Sequence, residues 1–371
     1  MKVSFVNLKP LSQRLKSKVL EDWAEVLENT EFVGGPSVQR LESELSQRLE
    51  VPHVVTCANG TDALILALQA LDVGPGDRVA VPNLTFWATY EAIVHRGAVP
   101  VLIDANSENL QMEFEEFCEA HKKYHLKAAF LVHLFGWASP DTEKFRNFCK
   151  ENSISLIEDG AQAYGVKKDA HSIFKGSFIA TMSFYPAKVI GGAMDGGAIL
   201  CSSEAQAKLC RVLANHGRSS HYSYSHAGWN SRMGGLQAKW LLRFLEIENE
   251  IFQSRLNTLE FYQREIPSTD AFKWVNAPRG IESNAYLAVA RVPEAKREFI
   301  QSKALELGVD CKNTYPETLS MQPMCKNDLR ISDLVNSNKF VREVLNLPLY
   351  AFMENEELNF VATTMKNLIK T

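Results

Sequence analysis

The sequence has little that would cross-link a fold covalently or carry it into a membrane. Its seven cysteines, at 57, 118, 149, 201, 210, 311 and 325, include no Cys-x-x-Cys pair. That scatter argues against a disulfide framework or a zinc site and for a reducing, cytosolic setting. No apolar run approaches the roughly 18 residues of a membrane span. The N-terminal stretch is broken by Asn7, Lys9 and Pro10, so it lacks the apolar centre of a secretory leader. Charge of one sign is also missing. Forty Lys+Arg against 44 Asp+Glu leave a net charge of -4, which offers no basic surplus to a nucleic acid. Repeats and low-complexity segments are absent. What is present, 46% hydrophobic and 23% charged residues over 371 positions, excludes a largely disordered chain and suits a core spread over about two domains.

From about residue 35 to 210, short apolar runs alternate with longer amphipathic ones. HVVTC (53–57), RVAVP (78–82), VPVLID (99–104), AAFLVHL (128–134), ISLIED (154–159), IATMSF (179–184) and AILC (198–201) read as strands. Residues 61–71, 88–95, 112–122 and 140–152 between them read as helices. Near-continuous apolar strands separated by helices predict an α/β fold, a mostly parallel seven-stranded sheet covered on both faces. Beyond about 232 the texture changes. Residues 234–266 carry apolar positions at helical spacing and read as one long connecting helix. A strand at 284–292, a helix at 295–307, a loop around 313–320 and a closing helix at 354–370 follow. The expected division is a large domain, 1–245, and a smaller C-terminal α/β domain, 246–371.

Ligands of open α/β sheets sit beyond the carboxyl ends of the strands, so the residues there carry the functional reading. Asn59-Gly60-Thr61-Asp62 begins a helix after the first strand, which suits a phosphate or is a plain strand-to-helix turn. Thr85-Phe86-Trp87 follows the second, and Trp87 can stack on a flat ring or fill core. Asp159, with Gln162 after it, ends an apolar strand and needs a partner: a helix terminus or a protonated ring nitrogen. Ser183 and Lys188 follow the next strand, before Gly191-Gly192 and Asp195-Gly196-Gly197. A partly buried lysine is a nucleophile toward carbonyls, and the alternative is a surface lysine. Neither a GxxxxGK[ST] loop nor a spaced GxGxxG is present, which weighs against ATP or a nicotinamide. Taken together the set suits pyridoxal 5'-phosphate, which needs a Schiff-base lysine and an acid at its ring nitrogen. His133 and His216 have no carboxylate or cysteine at ligand spacing, so a structural role is expected and no metal site.

The ordered motifs Gly-Thr-Asp-Ala-Leu (60–64), Gly-Pro-Gly-Asp (74–77), Thr-Phe-Trp-Ala-Thr (85–89), Glu-Asp-Gly-Ala-Gln-Ala (158–163), Ser-Phe-Tyr-Pro-Ala-Lys (183–188), Asp-Gly-Gly-Ala (195–198), Asn-His-Gly (215–217), Gly-Trp-Asn-Ser-Arg (228–232) and Leu-Pro-Leu-Tyr (347–350) span nearly the whole chain. Together they closely resemble the DegT/DnrJ/EryC1/StrS family of sugar aminotransferases. The resemblance implies the aspartate aminotransferase (type I) fold, pyridoxal phosphate as cofactor, and a homodimer. It implies that Lys188 binds the cofactor and shuttles the proton, that Asp159 pairs with the ring nitrogen, and that Gln162 meets the ring hydroxyl. Trp87 would stack on the ring. Gly60, Thr61 and Ser183 would hold the phosphate, with Asn230 reaching it from the other subunit. Family dehydratases carry a histidine in place of the lysine, so Lys188 favours amino transfer.

The implied reaction moves nitrogen from an amino-acid donor, expected to be glutamate, to a keto-sugar for cell-surface polysaccharide. The acceptor region departs from the family pattern at Tyr164, at Val189–Met194, at Gly234-Gly235 and in the loop Lys312–Ser320. A non-nucleotide acceptor therefore competes with a nucleotide-linked sugar. One specific form is the 8-keto sugar that gives 8-amino-Kdo for lipopolysaccharide, whose carboxylate would need a cation. Arg218, Arg232 and Lys312, with Tyr315 in the same loop as Lys312, are the candidate acceptor contacts. A catalytically silent regulator or scaffold is the alternative of another class.

Overall fold

The computed structural model describes residues 1–370. The seven expected strands are all present: β1 (His53–Cys57), β2 (Arg78–Pro82), β3 (Val99–Ile103), β4 (Ala128–Val132), β5 (Ser155–Asp159), β6 (Ile179–Ser183) and β7 (Gly197–Cys201). The sheet nevertheless has eight strands, because Leu329–Arg330 (β8) adds in parallel to the edge of β3. A two-residue strand has too little hydrophobic pattern to be seen in the sequence. The order is β1-β7-β6-β5-β4-β2-β3-β8. β7 is antiparallel to both of its neighbours and every other pairing is parallel, so β7 alone runs against the rest. The carboxyl ends of β1, β2, β5 and β6 therefore lie along one rim of the sheet, where the start of β7 joins them. That rim is where the candidate residues gather.

Alternation along each strand divides its side chains between two apolar layers. Val79 and Val81 of β2 pack in the larger core with the helices Gly60–Ala70 and Trp87–His95, while Ala80 packs on the opposite face with Phe117 and Phe145. A third core gathers Tyr262, Phe272, Ala288, Leu345 and Met365 around the antiparallel strands Lys273–Trp274, Ala288–Arg291 and Val344–Leu347. Val3 joins this core, from the other end of the chain, by pairing with Val309. Residues after 245 divide between cores: Leu319, Phe340 and Val344 belong to the larger one.

Two helices replace the single expected one over 234–266. Gly235–Glu246 and Glu248–Glu265 are separated at Ile247, which lies outside helical geometry (φ -116, ψ 16). Glu248 and Glu250 then fall in the first turn of the second helix, where acidic side chains suit the positive dipole end. The strand expected over 284–292 is confined to Ala288–Arg291. Ala285, at φ +52, is in left-handed backbone that a strand does not accept.

Candidate active site

One cavity of about 630 Å3 lies on the rim. It brings together Gly60, Thr61, Asp159, Gln162, Ser183, Lys188 and Tyr315 from the expected set. Asn59 caps the helix Gly60–Ala70, its Oδ1 accepting the Asp62 N–H at 2.8 Å. The N–H groups of Gly60 and Thr61, first in the helix, have no intrahelical acceptor and add to the positive dipole end. The turn sits hard against the strand ends. A Cβ on Gly60 would lie 2.7 Å from the Ser183 Cβ, and one on Gly197 would lie 2.3 Å from the Asn59 oxygen. Gly197→Ala is therefore expected to push the helix start off the sheet, at a cost of about 1–3 kcal/mol. A thermal melt and a pyridoxal phosphate titration measure it, and unchanged values for both would refute this account of the turn.

Asp159 ends β5, buried, and both of its oxygens are engaged. Oδ1 accepts the Ala161 N–H at 3.0 Å and Oδ2 accepts the Thr89 hydroxyl at 2.9 Å. Thr85 lies 3.1 Å from the same Thr89 hydroxyl, so the helix after β2 orients the acid. Thr181 of β6 stands opposite Asp159 in the register. Its Oγ1 is buried, lines the cavity and has no hydrogen-bond partner. Gln162 accepts the Phe135 N–H at 2.6 Å and donates to the Tyr315 hydroxyl at 2.6 Å. Burial, with Tyr286 and Asp159 nearby, holds the Tyr315 phenol well above its ordinary pKa, so it stays neutral.

Lys188 leaves β6 through a turn in which its N–H donates to the Tyr185 oxygen at 2.8 Å. The following loop is pinned from the helix Gly235–Glu246. Gln237 accepts from the Ala193 and Met194 N–H groups at 3.1 and 3.2 Å, and the Trp240 indole donates to the Gly191 oxygen at 2.8 Å. The departure from family pattern at 189–194 thus has a partner in Gln237. The Lys188 ammonium lies 5.5 Å from the centre of the Tyr286 ring.

The remaining expected residues do not line this cavity. Trp87 is first in its helix and turns away to pack on Tyr90, ring centres 4.8 Å apart. Phe86, in the extended residue before the helix, lines the cavity instead, 6.1 Å from the Tyr315 ring. Pyridoxal phosphate affinity is accordingly expected to fall roughly three- to tenfold in Phe86→Ala and to hold in Trp87→Phe. An absorbance titration with the reverse result would restore Trp87. Asn230 is exposed and accepts from Arg232 at 2.5 Å; Arg232 also donates to Asn215 at 3.0 Å. Lys312 pairs with Asp310 at 2.7 Å. Arg218 lies on an exposed hairpin over residues 218–224. His133 is buried against Glu158 at 3.2 Å, and Arg146 completes that pair at 2.8 Å. Burial raises the Glu158 pKa, but His133 and Arg146 outweigh it and hold the carboxyl below its ordinary value.

Thr89, Thr181 and Tyr286 also line the cavity, and the sequence did not single them out. Thr181 carried a usable signal, since it stands two residues before Ser183 on one strand and so shares its face. Tyr286 carried none, being far along the chain from Lys188.

These residues fit pyridoxal phosphate. The glycine-lined helix start and the Ser183 hydroxyl suit a phosphate. The unpartnered Thr181 hydroxyl awaits a polar ligand, and a lysine and a buried acid border the same space. Comparison with known proteins agrees. The sequence model of the DegT/DnrJ/EryC1/StrS aminotransferase family matches residues 13–366. The UDP-2-acetamido-2-deoxy-3-oxo-D-glucuronate aminotransferase of Pseudomonas aeruginosa is 30% identical over 367 residues, covering 98% of this chain and 100% of that protein. The 3-oxo-glucose-6-phosphate:glutamate aminotransferase of Bacillus subtilis is 29% identical over 382 residues, covering 99% of this chain and 85% of that protein. The solved structure of NtdA from Bacillus subtilis with bound cofactor PMP matches with a TM-score of 0.92 at 28% identity, covering 100% of this chain and 86% of that one.

Proposed function

This chain belongs to the DegT/DnrJ/EryC1/StrS aminotransferase family, and on that premise we propose that it moves the amino group of glutamate to a keto-sugar, in a cavity completed by a second copy of the chain. It is a pyridoxal-phosphate-dependent sugar aminotransferase of type I fold. The observation that carries the residue assignment is the meeting of Lys188, Asp159 and the Gly60 helix start around one cavity. When bound, pyridoxal phosphate supplies an electron sink for the carbon that loses or gains nitrogen. Lys188 Nζ holds it and carries the proton to and from that carbon, as base in one half of the reaction and acid in the other. Asp159 keeps the ring nitrogen protonated, Phe86 covers the ring face and Gln162 meets the ring hydroxyl. Gly60, Thr61 and Ser183 hold the phosphate, joined by Asn230 of a partner copy in a cytosolic homodimer. Arg232 orients that asparagine.

Two relatives support different acceptors: one is named for a nucleotide sugar and one for a sugar phosphate. The second reading, an 8-keto acid sugar giving 8-amino-Kdo for lipopolysaccharide, is favoured by one observation. Arg218 has no side-chain partner among the described residues, and its hairpin is exposed, so it is available to a partner's cavity. The test is the visible spectrum of the loaded protein with glutamate, followed by an acceptor panel. Glutamate should bleach the yellow form, and the accepted sugar should restore it. A yellow protein indifferent to glutamate would overturn the donor. Arg218→Ala raising KM for the acid sugar alone would support the 8-amino-Kdo form, and an equal KM would end it.

A further inference from the structure

Lys188 and Tyr286 border a second cavity as well, of about 250 Å3, on whose far side lies the N-terminal segment Phe5–Leu8. Its charge is unlike that of the first. The first cavity is lined by Asp62, Asp159 and Asp195, with Lys188 as its cation. The second is lined by two cations, Lys188 and Arg255, and by no aspartate or glutamate.

Arg255 projects from the helix Glu248–Glu265 and is only 7% exposed. Its Nε donates to the Ala285 oxygen at 3.1 Å and its Nη2 to the Tyr286 oxygen at 2.7 Å. These are neutral carbonyls, and no carboxylate pairs with Arg255 among the described residues. Burial lowers its pKa to about 10. A buried cation without a countercharge is costly, and an anion in the adjoining space removes that cost. The Asn7 and Tyr350 side chains bordering the cavity are already engaged. Asn7 Oδ1 accepts the Lys9 N–H at 3.0 Å, and its amide donates to the Tyr350 hydroxyl oxygen. The Tyr350 hydroxyl is taken, donating to Glu357 at 2.6 Å. Once Lys188 is committed to the cofactor, Arg255 is the cation that remains.

We propose that this second cavity is a carboxylate subsite, in which Arg255 holds the acid group of a small organic anion beside the reacting lysine. The amino-acid donor is one source of that carboxylate and a free metabolite acid is the other. Only the choice of the donor rests on the function proposed above.

The test uses the full chain loaded with pyridoxal phosphate. The probes are glutarate and acetate, with glutaramide as the uncharged control. Glutarate and acetate are expected to raise Tm saturably, and glutaramide is not. Arg255→Gln should abolish the effect. Because Arg255 also holds two carbonyls, that variant can fail to fold. Leu8→Glu covers this case: position 8 is 39% exposed and the new carboxylate reaches the cavity from the chain itself. It should keep Tm and lose the response to added acid. No saturable rise in the unaltered protein, or an undiminished rise in Leu8→Glu, would overturn the subsite. The source is then read from glutamate-driven bleaching. If the donor's carboxylate occupies the subsite, glutarate competes with glutamate. Arg255→Lys then raises half-saturating glutamate roughly ten- to hundredfold with the limiting rate little changed. Stabilisation by glutarate without competition supports the subsite with a free acid as its occupant. A protein stabilised by glutarate but never bleached by glutamate would sink the proposed donor and leave the subsite standing.

Discussion

Lys188→Ala should remove glutamate-driven bleaching altogether and lower turnover by more than the roughly 10²–10⁴-fold that a general acid–base group contributes. The loss exceeds that range because the same nitrogen is proposed both to hold the cofactor and to move the proton. The fold should survive. The Lys188 ammonium faces the Tyr286 ring and makes no side-chain hydrogen bond among the described residues, so nothing structural depends on it. The variant should therefore melt near the parent temperature and bind pyridoxal phosphate that dialysis removes, whereas the parent retains it. Substantial bleaching in this variant would show that another amine does the work. Folding failure would point to a packing role the geometry does not support.

The second large effect belongs to Asp159→Asn. The substitution keeps the shape of the side chain and the acceptor for the Ala161 N–H, and removes the charge. Breaking one half of a buried charged contact costs about 3–5 kcal/mol, so cofactor affinity and turnover together should fall roughly 10²–10⁴-fold. The spectrum of the bound cofactor should shift as well, because its ring nitrogen would lose the acid that keeps it protonated. Thr89→Val gives a graded control. It deletes the hydroxyl that donates to Asp159 at 2.9 Å and should cost roughly tenfold. If Asp159→Asn matched the parent in affinity, rate and spectrum, the acid would be merely a capping group of the turn.

Lys188, Asp159 and the Gly60 turn were legible before any coordinates, for a local reason. Each stands at the end of an apolar strand of about five residues or within five positions beyond it, and such strands announce themselves by composition. Their ends are then known to within a residue or two, and parallel strands place those ends on one rim. Trp87 failed by the same logic applied too coarsely. Thr85-Phe86-Trp87 crosses from strand to helix within three residues, and the helix start decides which aromatic faces the cavity. Phe86 is still extended and points in, while Trp87 has already turned with the helix. A one-residue error in a boundary reverses the assignment.

The candidate acceptor residues were legible only as charges. Arg232, Lys312 and Arg218 were singled out by charge alone, and charge says nothing about which neighbour satisfies it. Asn215, Asn230 and Asp310 engage the first two, and the third stands on a surface hairpin. The break at Ile247 was invisible because apolar spacing continues across it.

The sequence by itself determined the seven long strands, the family, the cofactor class and the lysine and acid that meet at the cavity. These follow from periodicity within short windows and from ordered motifs, both of which are local properties of the chain. Only the tertiary structure decided what surrounds them. It brought Tyr315 to Gln162 across 153 positions, Tyr286 to Lys188, and Arg255 to a cavity without an acid. It also added the strand at Leu329–Arg330 to the far edge of the sheet. Such contacts depend on how separate elements pack, and packing is set by the shapes of surfaces that meet only after the chain has folded.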